Sequence, residues 1–467
     1  MKTMLDLKKK IKNILYLLGW RNIPENGIRY LGFATLDPVG RVFEYKNRVY
    51  RGVYNEKEDY VKNIFDCGLY QNLLDEEVFV KTEFTNFRNN NFSLILEHKK
   101  LTTTLPTEWT SEMLRDSALL ILKVNEICNR YGYELGDAHP YNVLFDGPNP
   151  VWIDLGSIVP KSETWRAYPE FVNYTIVPLV YMMNNELYEA YSILQSERTY
   201  KIASKEFRST ILFKKFLELS GESEDNISEG VINNDWIEKY KNNTESDKMF
   251  WSNYQKDTHE LENDLKPHGK NHFNRFFKLI PIIKKYSSDA KTLVDLAGNT
   301  GLFSIICSKR IKYLKKIINI DYDYYSIEKS FSFIKKHKIG AIESYLLNFM
   351  LPMHPWVYRN FKSDIVVALA ITHHLLLTQG FKIDEIFEKI GSFSKKYVYV
   401  EFMPLGLWGG DKNRKPTVPG WYTKDYFEKK FRNHFILIKK ITLESHKIKG
   451  KKEAHRVLFV GKIKHEV

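Results

Sequence analysis

The stretch Thr292-Leu-Val-Asp295-Leu-Ala-Gly-Asn-Thr-Gly301, running on into Leu-Phe-Ser-Ile-Ile-Cys307, decides how this chain is read. Leu293 and Val294 look like the end of a buried strand, and Leu302 to Cys307 is an apolar run suited to a helix. Between them Ala297, Gly298, Asn299 and Gly301 make a tight, small-residue turn. Strand, small turn and helix together let an α/β sheet bring backbone N–H groups against a nucleotide-like ligand. A lone glycine turn can also do no more than join a strand to a helix, so the surrounding sequence has to decide.

Downstream, strands and helices alternate. Lys316-Ile-Ile-Asn-Ile-Asp321 reads as a strand and residues 324–337 as a helix, with a short strand near Ser344-Tyr-Leu-Leu. Asp364-Ile-Val-Val-Ala-Leu-Ala370 is a wholly apolar strand, followed by a helix over 383–393 and the strand Lys396-Tyr-Val-Tyr-Val-Glu401. A helix over 423–431 precedes two closing strands, 435–443 and 456–460. Apolar strands alternating with helices predict a parallel sheet covered on both faces, and the last two strands suit an antiparallel edge hairpin. In such a sheet the ligand lies across the carboxyl ends of the strands. Asp321 falls there, 26 positions after Asp295, where an acid can accept hydrogen bonds from both ribose hydroxyls. Ala297 and Asn299 stand where a dinucleotide fingerprint would place its first two glycines, which points away from a dinucleotide.

On these residues, the region from 271 to the end resembles a class I S-adenosylmethionine-dependent methyltransferase. Val-Asp295-Leu-Ala-Gly-Asn-Thr-Gly301 is similar to the family's first motif, Asp321 to its ribose-binding acid, and Ala370-Ile-Thr-His-His-Leu375 to the loop after strand four. The resemblance implies a Rossmann-like fold and a methyl donor. Carried over by position, it sets Asp295 toward the methionine ammonium and lets Ala297, Gly298, Asn299 and Gly301 bring backbone close to the donor. It gives Asp321 the ribose, sets Leu347 or Asn348 at the adenine border, where an aspartate is usual, and lines the other side with residues 368–370, ending at Ala370.

Methyl transfer from a sulfonium needs its three partners held in line more than it needs covalent help. A hydroxyl or amine acceptor also needs a base, and histidine has a suitable pKa. His373, His374 and Glu401 are the candidates, since they fall where donor and acceptor would meet. One histidine could equally pack on adenine or cap a helix. There is no Asp/Asn-Pro-Pro-aromatic run for an exocyclic amine and no cysteine near strand four for C5 attack. Nothing resembles an RNA-reading module. A small-molecule, sugar or lipid-linked acceptor is the favoured class.

The N-terminal half carries a second informative stretch. Asp137 and Asn142 lie five apart, and Asp154 follows a predicted hairpin just before Leu155-Gly156. Phosphoryl transfer to a hydroxyl uses one carboxylate to orient the acceptor, with an amide and a second carboxylate to hold Mg²⁺ on the phosphates. The spacing resembles the catalytic and metal loops of kinases of the aminoglycoside phosphotransferase type. On that resemblance Asp137 is the catalytic-loop acid, and Asn142 and Asp154 hold Mg²⁺ for Mg-ATP. The departures count against turnover. Leu135 stands where a histidine is usual, no glycine-rich phosphate loop lies upstream, and the nearest candidate for the phosphate-clamping lysine is Arg51 on the hairpin of residues 41–54.

The expected organisation is therefore an α+β kinase-like domain over residues 1–265, β-rich to about residue 100 and helical beyond, followed by a methyltransferase domain over 266–467. Through Leu36-Asp-Pro-Val-Gly-Arg-Val-Phe, Gly68-Leu-Tyr, Asp137-Ala-x3-Asn and Asn299-Thr-Gly the whole chain resembles bacterial methyltransferases with a kinase-like N-terminal region, some of them linked to nodulation or surface glycans. Charge follows the division: 36 Lys and Arg stand against 17 Asp and Glu from Asn271 onward, whereas the first 270 residues hold 34 against 40. The lysines are scattered rather than gathered in a block, which speaks against a nucleic-acid partner. Residues 5–18 place apolar side chains at helical spacing beside lysines, a pattern for packing on the domain or for peripheral contact with an anionic membrane. Three widely spaced cysteines, no apolar run near the roughly 20 residues of a membrane span and no secretory leader suggest a cytoplasmic protein. Three functions stay open: a methyltransferase with a degenerate kinase-like helper, a bifunctional methyltransferase-kinase of glycan modification, and a non-catalytic scaffold.

Overall fold

A computed structural model describes residues 21–31, 37–195, 274–353, 355–414 and 416–464, with isolated positions between 195 and 274. The helix expected over 5–18 and the expected boundary at 265/266 lie outside the described residues. Two compact units form. One comprises the residues up to Leu101 with Leu114–Leu144 and Pro150–Lys241; the other comprises Thr102–Met113, Phe145–Asn149 and Asn242–Val467. Among the described residues no helix is long and apolar enough to cross a membrane.

The second unit is built on a seven-stranded sheet. Its strands are β1 (Thr292–Leu296), β2 (Lys316–Asp321), β3 (Ile342–Leu346), β4 (Ser363–Ala368), β5 (Ser394–Phe402), β6 (Phe435–Ile448) and β7 (Lys451–Ile463). They lie in the order β3-β2-β1-β4-β5-β7-β6. The first five are parallel, and β7 and β6 close the sheet antiparallel. The strand order reverses between β1 and β4, so the crevice at their carboxyl ends is the topological switch point. The closing strands run longer than their apolar cores suggested, because Lys449 and Gly450 both take positive φ in a two-residue turn.

Both faces of the sheet are covered, which is why its strands read as apolar runs. Helices α1 (Asn274–Tyr286) and α2 (Leu302–Arg310) bury Phe276, Leu279, Ile283, Leu302 and Ile306 with Leu293, Ile365 and Tyr399 in one core. Next in the chain are α3 (Tyr324–Lys336), α4 (Pro355–Phe361), α5 (Thr372–Leu377), α6 (Ile383–Ser392) and α7 (Lys424–His434). Phe387 of α6 and Phe427 and Phe431 of α7 pack edge to face, and both α7 rings also meet Phe459 of β7. The segments 102–113 and 145–149 complete this unit: Ser111 Oγ donates to Glu328 on α3 at 2.7 Å, and the Phe145 ring meets Phe331 edge to face.

The first unit holds a five-stranded antiparallel sheet, its strands ordered Arg29–Tyr30, Gly40–Tyr45, Arg48–Val53, Leu94–His98, Thr82–Phe84. Lys46 and Asn47, both at positive φ, make the two-residue turn of its hairpin. Helical segments follow over Tyr168–Phe171, Val177–Met183 and Leu187–Gln195. Asn142 ends a short 3-10 helix over Pro140–Asn142, and Asp137 and Asp154 lie in the irregular segments around the strands Val143–Asp146 and Asn149–Trp152.

Candidate functional site

The turn between β1 and α2 is strained. Ala297, Asn299 and Gly301 have φ of 55°, 52° and 75°, which bend the chain sharply from β1 into α2. Gly298 is required for space: a Cβ there would stand 2.1 Å from Asn319 Oδ1 and 2.8 Å from the Asp295 carboxyl carbon. Its N–H donates to the carbonyl of Ile320 at 3.1 Å, and the N–H of Asn299 donates to Asp321 Oδ2 at 2.8 Å. Asn319, buried within β2, donates through Nδ2 to the carbonyl of Asn299 at 3.0 Å. The turn after β1 is thus stitched to the end of β2.

Two acids face this turn. Asp295 is buried and accepts from Ser304 Oγ on α2 at 3.0 Å. Burial raises its carboxyl to about 7, against the Ser304 hydrogen bond and with the help of the Asp321 charge. Asp321 is buried too, and accepts from the N–H of Asp323 at 2.9 Å as well as from Asn299. Burial lifts it to about 6 in spite of those two bonds. Among the described residues neither acid has a salt-bridge partner. Two carboxylates buried without a cation are costly, and a positively charged or hydroxyl-bearing ligand would relieve them. Asn348 lies just past β3, where its Oδ1 accepts from the N–H of Met350 at 3.1 Å in a local turn. Ala370, just past β4, takes a φ of 52°.

The predicted base candidates gather at the ends of β4 and β5. The stretch read from sequence as a loop is in fact the short helix α5, held to β5 by Thr372 Oγ1 donating to the carbonyl of Glu401 at 2.8 Å. His373 is buried with its Nδ1 lacking a partner among the described residues, while His374 is half-buried and its ring lies 4.0 Å from that of His373. Burial, and then the nearby His374, Arg456 and His455, hold His373 down to about 2. Burial alone lowers His374. Glu401 is fully buried between two guanidinium groups, with Arg456 Nη1 at 3.0 Å and Arg275 Nε at 3.7 Å. Both of its oxygens therefore serve charge pairing.

In the first unit Asp137 lies 3.1 Å from His139 Nε2, and the buried Nδ2 of Asn142 lacks a hydrogen-bond partner among the described residues. Glu170 accepts from the N–H of Ala138 at 2.8 Å, and burial together with the Asp137 charge raises it to about 7. Asp154 is held by an arginine. Its Oδ1 accepts from Arg51 Nη2 at 2.7 Å and from the N–H of Gly156 at 3.0 Å, and Arg51 also binds Asp37. Arg51 is itself buried. The Arg51 guanidinium thus pairs with Asp154, one of the two residues expected to hold Mg²⁺, and with Asp37.

Sequence reasoning missed several polar groups. Asn319 was visible as one amide inside the apolar run of β2, and Ser304 as one hydroxyl on the apolar face of α2. Tyr322, directly after Asp321, keeps 47% of its surface exposed at the carboxyl edge of the sheet. Arg275 and Arg456 at Glu401, and Glu444, His446 and His455 beside one another, carry no local signal, because helix packing and strand pairing alone bring them together.

No family model matches the chain. Over 416 residues it is 22% identical to the nodulation protein NoeA of Rhizobium meliloti (strain 1021), covering 79% of this chain and 83% of that protein. Among solved structures, a SAM-dependent methyltransferase from Aquifex aeolicus is 11% identical, with a TM-score of 0.31 and coverage of 44% of this chain and 98% of that one. The N-methyltransferase NodS from Bradyrhizobium japonicum WM9 is 10% identical, with a TM-score of 0.28 and coverage of 40% and 94%.

Proposed function

We propose that the second unit binds S-adenosylmethionine and transfers its methyl group to a small-molecule, sugar or lipid-linked acceptor. The observation that carries this reading is the pair Asp295 and Asp321, both buried without a salt-bridge partner among the described residues, at the carboxyl ends of neighbouring parallel strands beside a strained small-residue turn. A ligand with one cationic end and a ribose diol would meet both acids. The donor supplies a methyl group on a positively charged sulfur, already activated for displacement. The chain's own residues do the rest. Asp295 faces the ammonium end, Asp321 takes the ribose hydroxyls, Asn348 and Tyr322 border the adenine, and the bend at Ala370 lines the opposite wall. His374, the more accessible of the two histidines, would take the proton that the acceptor's oxygen or nitrogen gives up on methylation. His373, held neutral by its burial, positions it. Glu401 fixes the floor of the acceptor end through its two arginines.

The first unit we read as a kinase-like unit that does not transfer phosphoryl groups, on the evidence of Arg51 holding Asp154 and Asp37. The test is isothermal titration of the full chain with S-adenosylmethionine, S-adenosylhomocysteine and Mg-ATP. Saturable binding of the first two, and none of the third, is expected. A chain that ignores both sulfur ligands sinks the donor assignment.

A further inference from the structure

We propose that Glu444, His446 and His455, on the β6–β7 hairpin, form a binding site for a divalent transition-metal ion of the zinc class. The side chains converge because the hairpin is irregular at this point. Glu444 and His446 are two apart on β6 and so share a face of the strand. On β7 the pairing jumps from Ala454 opposite Ser445 to Arg456 opposite Glu444, which leaves His455 as the extra residue of a bulge. A bulge re-aims its side chain, and here it brings the His455 ring to the face shared by Glu444 and His446.

The distances match a coordination shell. His446 Nε2 lies 3.0 Å from Glu444 Oε1 and 3.1 Å from His455 Nδ1, and His455 Nδ1 lies 3.5 Å from Glu444 Oε2. Donor atoms bound at zinc's usual bond lengths in a tetrahedron stand about 3.3 Å from each other. Hydrogen bonding alone accounts for the cluster poorly. A proton on His446 Nε2 can serve either neighbour, but the remaining His455–Glu444 contact at 3.5 Å is too long for a good bond. One cation in the middle would use all three lone pairs at once. Two imidazoles and one carboxylate are the donor set of open transition-metal sites, which keep a position for water or substrate.

The surroundings hold the ligands in place. Arg456 Nε donates to Glu444 Oε2 at 2.9 Å and orients that carboxylate, while its Nη1 holds Glu401. The Trp408 ring packs against both imidazoles, 5.1 Å from His446 and 5.3 Å from His455. His455 Nε2 is buried without a hydrogen-bond partner among the described residues, so the ring is placed by its near nitrogen and by Trp408. A second cluster with metal-ligand spacing, Asp137, His139 and Glu170, lies in the other unit and serves as the internal control.

The experiment uses the full-length, tag-free chain, stripped with chelator and titrated with Zn²⁺ by calorimetry and with Co²⁺ by its visible absorption. One equivalent should bind, with cobalt bands of nitrogen and oxygen ligation. His446→Ala should weaken binding by at least about 100-fold, and Glu444→Gln should weaken it too. His139→Ala should leave it unchanged. His446 is partly exposed, so its variant keeps the test open if His455→Ala does not fold. Zinc should also raise the melting temperature of the wild type and not that of His446→Ala. Absence of stoichiometric binding to the wild type overturns the proposal. So does binding that survives both histidine variants, or binding that His139→Ala abolishes.

Discussion

The backbone N–H of Asn299 donates to the carboxylate of Asp321 at 2.8 Å, so the acid at the end of β2 holds the turn that follows β1. An acid expected to meet a ribose is therefore also a strut of the turn beside it. Removing it should do two things. Asp321→Asn keeps an acceptor for Asn299 but loses the charge, and S-adenosylmethionine affinity should fall about 10- to 100-fold, the worth of one charge-assisted hydrogen bond. Asp321→Ala should lower affinity further and also lower the melting temperature. Titration calorimetry on both variants separates the roles, and equal affinity in the wild type and Asp321→Asn would count against the ribose assignment.

The raised acids set a pH dependence. Asp295 and Asp321, at about 7 and about 6, bind protons more tightly folded than unfolded, where a carboxyl titrates near 3.8. Their contribution to stability is thus fully present below the unfolded value and is lost as pH rises through 6 and 7. Denaturant melts of the ligand-free chain should show stability falling across that window. A cationic ligand needs the ionised acids, so S-adenosylmethionine affinity should rise over the same range. Asp295→Asn should flatten most of the upper part of both curves.

Gly298 admits no side chain. A methyl group there would press on Asn319 Oδ1 and on the Asp295 carboxyl, both held in place by other bonds. Gly298→Ala should cost about 1–3 kcal/mol, as overpacking does in a rigid site, and should weaken the donor as the turn shifts. A thermal melt checks the first effect. An unchanged melting temperature would mean that the turn can move as a unit.

How far the sequence could be read follows the range of the interactions. The sheet was legible because strands buried on both faces must be apolar along their length, as in Ile365-Val-Val-Ala368. Asp295, Gly298 and Asp321 were legible because each sits where a strand ends, a position that local pattern reveals. The setting of Glu401 was not: its arginines come from α1 and β7, residues 275 and 456, and nothing local marks either one. The β7 bulge was equally hidden, since an extra residue in a strand shows only once its partner is known. In the first unit the spacing of Asp137, Asn142 and Asp154 is a local pattern, whereas the contact of Arg51 with Asp154, some hundred positions away, leaves no local mark.

The arginine sandwich around Glu401 predicts a structural phenotype. Replacing one member of a buried pair leaves a buried charge and costs about 3–5 kcal/mol. Glu401→Gln, which keeps the shape and some hydrogen bonding, should lie at the low end of that range. Its pH–rate profile should keep the acidic limb set by His374. If the variant instead melts like the wild type and loses that limb, Glu401 is the base and its arginines only tune it.

Arg51 offers the corresponding experiment in the first unit. It is buried and touches both Asp37 and Asp154, and burial has already pushed Asp37 above the usual carboxylate range against the pull of that guanidinium. Arg51→Ala strips the cation from two neighbouring acids and should destabilise this unit by about 3–5 kcal/mol. The freed carboxylates would then resemble a metal site, so millimolar Mg²⁺ should recover part of the lost melting temperature in Arg51→Ala while leaving the wild type unmoved. Differential scanning calorimetry with and without Mg²⁺ distinguishes the cases. If the wild type is stabilised by Mg²⁺ as strongly as the variant, the guanidinium does not stand in for the ion, and the reading of this unit as one that cannot hold Mg-ATP falls with it.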